Sequence, residues 1–294
     1  MAALFDGKFI RTIRQLGLKA GNVSRGGRHA EHPAIELGSG LEFRDYRGYT
    51  AGDDFRRIDW NLYNRLGRLF VRQFDQLEDY PVYVLVDLSD SMWFASPTRA
   101  DMARQVAAAV VAAAVNQHDR PQIHPFGADF GSPLATINGS NGLVRALDYL
   151  GSLASLGQTD LVGCVRRFAS RKVRRGMAVI VSDFFDPAGI DAVTDAMRTL
   201  RHDLLLVQIV RASDRQPEVS GEVRLVDCES GVRVDVQVDG GVLAAYREAY
   251  DQFQTGLDRF AIKRGAAHVQ LDVEQPILDQ LNKLFPAGVL QHVG

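Results

Sequence analysis

Acidic and hydroxyl side chains follow two apolar stretches of the chain, at positions where they could act together. Asp87 ends the run "VYVLV", and Ser89 and Ser91 come at alternate positions after it. Asp183 follows a second run, "MAVIVS", and Thr159 lies between the two runs in "LGQTDL", a predicted loop. Both runs are typical of buried parallel strands. The spacing predicts that these polar groups sit just beyond two strand ends.

This group of residues is suited to binding a hard metal ion. Two carboxylates and three hydroxyls, with no His or Cys, form an all-oxygen ligand set that favours Mg²⁺ or Mn²⁺, or Ca²⁺, over zinc or copper. So few charges would leave room for water and for a carboxylate from outside. Each residue also has a simpler explanation, because Asp, Ser and Thr often cap helices, and Thr159 could cap a helix that begins near Leu161.

Strands and helices alternate after Tyr80, which predicts the fold class. The buried runs "PVYVLVDL", "MAVIVSDFF", "DLLLVQIV" and "AHVQLDV" are separated by helical segments, as in an α/β, doubly wound, mostly parallel sheet. In such sheets ligands bind beyond the carboxyl ends of the strands, where the strand order reverses. We expect Asp87 and Asp183 to face that crevice. "PLATI" is predicted as a short strand, residues 222–239 as a β-hairpin, and Asp6–Leu18 as a helix.

The composition limits the classes of function. The 294 residues are 46% hydrophobic with a net charge of −2, which gives no general attraction to nucleic acid. Cys164 and Cys228 lack metal-binding spacing and fit a reducing cytosol. The first residues lack the apolar core of a signal peptide, and the longest apolar run, Val106–Val115, is too short to span a membrane. We expect a cytoplasmic protein without stable membrane insertion.

The first part of the chain differs from the rest in its amino-acid composition. In residues 40–75 arginines, aromatic residues and acids are interleaved, which favours internal ion pairs over a phosphate-binding stripe. We predict that residues 1–78 form an arm packed on a core domain of residues 79–294. Arginine–carboxylate pairs around a buried Trp60 would hold this arm in place.

The segment Asp87-Leu-Ser89-Asp-Ser91 resembles the D-x-S-x-S signature of von Willebrand factor A-like domains. Thr159 and Asp183 match the second and third loops of the metal-ion-dependent adhesion site in those domains. The resemblance implies a Rossmann-like sheet flanked by helices. It also implies that the three hydroxyls coordinate a divalent ion directly, that the two aspartates act directly or through water, and that a partner's carboxylate takes the open position.

A second resemblance is more specific. The stretch "GLEFRDYRGYTAGDDFRRIDW", followed by "LFVRQF", is similar to the bacterial family called domain of unknown function 58. Members of that family are often associated with MoxR-type AAA+ ATPases, which implies such an ATPase, or its client, as the partner. The residues that match are Glu42, Arg44, Asp53, Asp54, Arg57, Asp59 and Trp60.

Three further acids, Asp90, Asp160 and Asp186, stand close to the predicted site in the sequence. Extra acids would either tighten cation binding or weaken the attraction for an acidic partner by lowering the net charge. The sequence leaves both effects open.

The sequence matches the motifs of known enzyme classes less well. An Asp after the first strand can be a nucleophile, but a haloacid dehalogenase-type phosphatase usually has a second Asp two residues later, where this chain has Ser89. The chain contains neither a G-x-S-x-G elbow nor a P-loop. We predict a non-enzymatic, metal-dependent protein-binding module. The alternatives are a metal-dependent phosphohydrolase using Asp87 and a scaffold with a vestigial metal site.

Overall fold

A computed structural model describes residues 4–18, 41–76, 80–135, 137–284 and 290–292. In this part of the chain the strands are β1 Leu16–Leu18, β2 Leu41–Gly48, β3 Phe70–Gln76, β4 Pro81–Asp87, β5 Arg120–Phe126, β6 Met177–Ser182, β7 Asp203–Val210, β8 Gly221–Val226, β9 Arg233–Val238, β10 Ala267–Asp272 and β11 Leu290–His292. The helices are α1 Gly7–Ile13, α2 Trp60–Leu66, α3 Asp90–Trp93, α4 Arg99–Asn116, α5 Gly139–Ser152, α6 Leu161–Ser170, α7 Gly189–Arg198, α8 Ala212–Arg215, α9 Gly240–Arg264 and α10 Ile277–Leu284.

Contacts divide the chain into two units. One contains the described residues before residue 24 and those from Tyr80 onward, and the other contains residues 41–76. The predicted packing of an N-terminal arm on the core domain stays a prediction.

The larger unit is built on a five-stranded parallel sheet in the order β10-β7-β6-β4-β5. Successive residues of β4 point to opposite faces: Val82, Val84 and Val86 pack with α1, α4, α5 and α10. Tyr83 and Leu85 pack with α6, α7 and α9. Because both faces are covered, the strand reads as a continuous apolar run. The predicted fold class, a doubly wound Rossmann-like sheet flanked by helices, is confirmed.

The path of the chain reverses at β4. From β4 the chain crosses through α4 to β5 at one edge, then returns through α5 and α6 to β6 on the other side of β4. The strand order therefore reverses between β4 and β6, and their carboxyl ends flank the crevice where ligands bind in this class of fold.

The small residues of α4 allow it to lie close to the sheet. Its side chains from Val106 to Ala114 are fully buried. The helix begins at a cap in which the Thr98 hydroxyl accepts a hydrogen bond from the Asp101 amide at 3.0 Å.

The β-hairpin appears where the sequence predicts it, as β8 and β9 paired antiparallel. Two other expectations differ from the structure. The N-terminal helix ends at Ile13, because residues 16–18 pair with β11 near the other end of the chain. In "PLATI" Leu134 forms an isolated bridge to Ile123, and residue 136 lies outside the described part. None of the helices in the described part is long and apolar enough to cross a membrane.

The smaller unit uses its acidic residues internally. Asp59 is buried, caps α2 by accepting from the Asn61 amide at 3.0 Å, and accepts from the Tyr46 hydroxyl at 3.0 Å. Asp53 pairs with Arg47 at 2.7 Å. The prediction of a buried Trp60 is wrong, because its side chain is 56% exposed.

Another acid of the family signature, Asp54, caps a 3-10 turn over Phe55–Arg57. The side chains of Glu42 and Arg44 lie outside the described part of the chain. The acids of the signature that are described therefore shape the turns and the helix start of this unit.

Candidate functional site

Asp87 stands at the carboxyl end of β4 with both carboxylate oxygens engaged. Its Oδ1 accepts hydrogen bonds from the Ser89 hydroxyl at 2.7 Å and the Ser89 amide at 3.0 Å. Its Oδ2 accepts from the Ser182 hydroxyl, at the end of β6, at 2.6 Å. Asp87 is fully buried, so it joins the ends of the two central strands and orients Ser89.

The three predicted hydroxyls form a continuous row. The Ser89 and Ser91 hydroxyl oxygens are 3.1 Å apart, and those of Ser91 and Thr159 are 3.4 Å apart. Ser91 and Thr159 are 68 residues apart in the chain, so the sheet and its loops bring them together.

Backbone hydrogen bonds hold the Thr159 loop in place. The Leu156 amide donates to the Leu88 carbonyl at 2.8 Å, and the Asp90 amide donates to the Gly157 carbonyl at 2.8 Å. On the side of β5, a Cβ atom on Gly127 would lie 2.6 Å from the Leu156 carbonyl oxygen. Only glycine allows this approach, and it places the loop between the ends of β4 and β5.

The structure does not use these residues as helix caps. Ser89 precedes α3 but makes no side-chain capping bond, and the residue that precedes α7 is Ala188. Asp160, not Thr159, caps α6 by accepting from the Gly163 amide at 2.8 Å. The side chains of Ser89, Thr159 and Asp183 are therefore free of the structural role that the sequence left open.

The extra acids also have structural partners. Asp186 accepts from the Val162 amide at 3.1 Å and from the Ala188 amide at 2.8 Å, which fixes the start of α6 and the turn before α7. Asp90 accepts from the Ser155 hydroxyl. These bonds give Asp90, Asp160 and Asp186 roles in shaping loops.

Asp183 adds a second buried carboxylate near Asp87. Burial raises the pKa of Asp183, the charge of Asp87 raises it further, and the charge of Arg99 opposes both effects. Burial also raises the pKa of Asp87, against hydrogen bonds from Ser182 and Ser89 that lower it. The site therefore disfavours two negative charges, and a bound cation would relieve that cost.

The oxygen atoms have the spacing of ligands around one small ion. Adjacent ligands of an octahedral Mg²⁺ lie about 3.0 Å apart, because the metal–oxygen bonds are about 2.1 Å. The hydroxyl–hydroxyl distances of 3.1 and 3.4 Å are close to that value. No cluster of three or more His, Cys, Asp or Glu side chains that could hold a metal occurs among the described residues, so an ion here would depend on the hydroxyls. The chemistry and spacing of the donors fit Mg²⁺ or Mn²⁺.

The sequence analysis missed two residues of the site, Ser182 and Glu229. The repeated pattern of an apolar strand ending in Ser-Asp signals Ser182, which donates to Asp87. Glu229 lies in the β8–β9 turn, and its Oε1 accepts from the Thr159 hydroxyl at 2.6 Å and from the Ser91 amide at 3.3 Å. Its Oε2 accepts from the Thr159 amide at 2.9 Å. No local pattern in the sequence links Glu229 to the site.

The family described as "Protein of unknown function DUF58" matches residues 45–256. The chain belongs to the DUF58 family. A similar protein, the uncharacterized protein Rv1480 of Mycobacterium tuberculosis, is 28% identical over 240 residues, which cover 80% of this chain and 75% of that protein.

Similar solved structures share low identity with the DUF58 chain. An aerotolerance-related membrane protein of Bacteroides fragilis has 15% identity and a TM-score of 0.40, covering 69% of this chain and 99% of that one. The SpRpn10 VWA domain has 14% identity and a TM-score of 0.38, covering 72% of this chain and 97% of that one. The match to the family model confirms the predicted resemblance to domain of unknown function 58.

Proposed function

We propose that this DUF58 protein is a non-enzymatic protein-binding module that uses a divalent ion to engage a carboxylate of its partner. The hydroxyls of Ser89, Ser91 and Thr159 would hold the ion, with Asp87 and Asp183 acting directly or through water. The ion would supply a Lewis-acidic centre that an acidic side chain of the partner could bind. The observation that carries the proposal is the row of three hydroxyls at the strand ends where Asp87 and Asp183 are buried, with none of these five side chains making a helix-capping bond.

The environment of Asp87 argues against a phosphohydrolase that uses it as a nucleophile. The residue is fully buried, and its two oxygens accept three hydrogen bonds, from Ser89 and Ser182. A nucleophile needs an oxygen that can reach the substrate. The same bonds suit a group that orients a neighbouring ligand.

The resemblance of the sequence supports a MoxR-type AAA+ ATPase, or a client of that ATPase, as the partner. The partner's contribution would be a Glu or Asp side chain.

A titration with Mn²⁺ or Mg²⁺ tests the metal site. Thermal unfolding of the wild-type chain should show a saturable increase in stability, of about 2.7 kcal/mol when the free ion is at 100 times its dissociation constant. Ser91→Ala should lose most of that gain. Ser152→Ala, which removes an exposed hydroxyl near the end of α5, should keep it. Equal gains in the two variants, or none in the wild type, would contradict the proposal and favour a vestigial site.

A further inference from the structure

Glu229, in the turn between β8 and β9, is a hairpin residue whose side chain contacts the candidate site. Its side chain is half-buried, whereas Cys228 and Ser230 on either side are exposed. Its carboxylate accepts three hydrogen bonds, all from Ser91 and Thr159. A carboxylate of the chain itself therefore stands at the end of the hydroxyl row.

The turn that carries Glu229 has a defined shape. Asp227 accepts from the Glu229 amide at 2.9 Å through Oδ1 and from the Ser230 hydroxyl at 2.6 Å through Oδ2. On the side of the site, the Gln158 side-chain amide donates to the Glu229 carbonyl at 3.3 Å. These bonds present the Glu229 carboxylate to Thr159 with little freedom in the turn.

The rest of the hairpin has few other attachments. β8 and β9 form a sheet of two strands, and two-stranded hairpins are marginally stable on their own. The cross-strand pair Leu225 and Val234 is 50% and 53% exposed. The contacts of Glu229 and Gln158 therefore have a large share in holding the tip over the site.

We propose that Glu229 is an internal ligand that closes the candidate metal site, and that a partner's carboxylate enters by displacing the hairpin tip. The inference rests on the proposed function, because it assigns Glu229 to the position that a partner's acid would occupy. The Thr159 hydroxyl donates to Glu229 Oε1 at 2.6 Å, so an ion held by that hydroxyl would lie within reach of this carboxylate oxygen. The ion would thus be bound both by the residues at the strand ends and by Glu229 of the hairpin. A partner's carboxylate would compete with Glu229 for the ion.

Hydrogen–deuterium exchange on the metal-free protein tests the closure. Glu229→Gln keeps the size of the side chain, but only its one carbonyl oxygen can accept, so its NH2 group would face the N–H of either Ser91 or Thr159. We expect residues 227–232 to exchange about tenfold faster in this variant. Glu222→Gln, which removes an exposed carboxylate from β8 of the same hairpin, is the matched control and should exchange like the wild type. If residues 227–232 of Glu229→Gln exchange at the same rate as in the wild type, the proposed closure of the site by the hairpin is overturned.

Calorimetry with Mn²⁺ tests the role of Glu229 as a ligand. The wild type and Glu222→Gln should bind the ion equally well, and Glu229→Gln roughly tenfold more weakly. Excess acetate should bind the Mn²⁺-loaded Glu229→Gln protein and not the Mn²⁺-loaded wild type, because only the variant leaves the position open. If Glu229→Gln and Glu222→Gln bind Mn²⁺ with equal affinity, the proposal that Glu229 is a ligand of the ion is overturned.

The two experiments separate the two proposals. If none of the three proteins binds Mn²⁺, the proposed function fails together with the ligand role, and faster exchange in Glu229→Gln still supports the closure of the hairpin. If the wild type binds Mn²⁺ and the exchange of Glu229→Gln is unchanged, the closure fails while the metal site stands.

Discussion

Thr159 is the residue on which the candidate site depends most directly, since its hydroxyl contacts Ser91 on one side and Glu229 on the other. Thr159→Val keeps the shape of the side chain and removes that oxygen. We expect the affinity for Mn²⁺ to fall by roughly tenfold or more in calorimetry. Thr255→Val, which removes an exposed hydroxyl from α9, should bind like the wild type. Unchanged affinity in Thr159→Val would remove this residue from the ligand set.

We predict that Asp87 serves metal binding and does not stabilise the metal-free fold. Burial raises its pKa, so the folded protein disfavours the charged carboxylate. Asp87→Asn removes that charge while keeping an oxygen for Ser89. We expect the metal-free variant to be at least as stable as the wild type at pH 8, as judged by its free energy of unfolding. The variant should gain no stability from Mn²⁺. Urea unfolding with and without the ion measures both, and a strongly destabilised metal-free variant would contradict the prediction.

At the scale of elements, the end of β5 positions the Thr159 loop. Gly127→Ala would bring a Cβ atom within 2.6 Å of the Leu156 carbonyl oxygen and push this loop away from Ser91. We expect a loss of about 1–3 kcal/mol in unfolding free energy and weaker Mn²⁺ binding. Gly151→Ala, on α5, meets nothing within 4 Å and should be neutral or stabilising. Similar outcomes for the two variants would show that the close approach does not matter.

The same strand carries a buried histidine that predicts sensitivity to acid. Burial, with a smaller effect of Arg171, lowers the pKa of His124 to about 4 from its ordinary value of 6.5. Between these values the unfolded chain binds more protons than the folded one, so the unfolding free energy falls as the pH drops through this window. The loss due to His124 should be about 2 kcal/mol between pH 7 and pH 5.

His124→Phe tests this prediction, because a phenyl ring can still pack against Phe168, whose ring centre is 5.3 Å from that of His124. Urea unfolding at the two pH values should show a drop smaller by about 2 kcal/mol in the variant than in the wild type. An equal drop in both proteins would mean that other groups cause the acid sensitivity.

For the whole molecule, partner binding should depend on the ion and the hydroxyls together. A purified MoxR-type ATPase should bind the full chain at least roughly tenfold more tightly with Mg²⁺ than with a chelator, because the ion links the two carboxylate-bearing surfaces. Thr159→Val should remove that difference, and Thr255→Val should keep it. Surface plasmon resonance measures the three proteins, each with Mg²⁺ and with the chelator. Binding that is insensitive to the chelator would place the partner contact elsewhere.

Local patterns in the sequence were enough for the core and for much of the site. The continuous apolar run of β4 predicts a strand covered on both faces, and the acid at its end predicts a position at the crevice. The same rule applies to Asp183 after β6, since strand ends in a parallel sheet meet at one edge. Periodicity also located the hairpin, because alternation and turn residues lie close together in the chain.

Contacts between distant segments were decided only by the tertiary structure. Glu229 reaches Ser91 across 138 residues, and no local preference of either segment encodes that meeting. Helix α1 ends at Ile13 because residues 16–18 pair with residues 290–292. Trp60 is exposed because the packing of its own unit leaves more than half of its side chain accessible to solvent. The sequence by itself determined which residue types stand at the strand ends, because buried strands require apolar runs. Which side chains share one site, and that a hairpin acid covers it, followed only from folding, because those contacts depend on the packing of the whole unit.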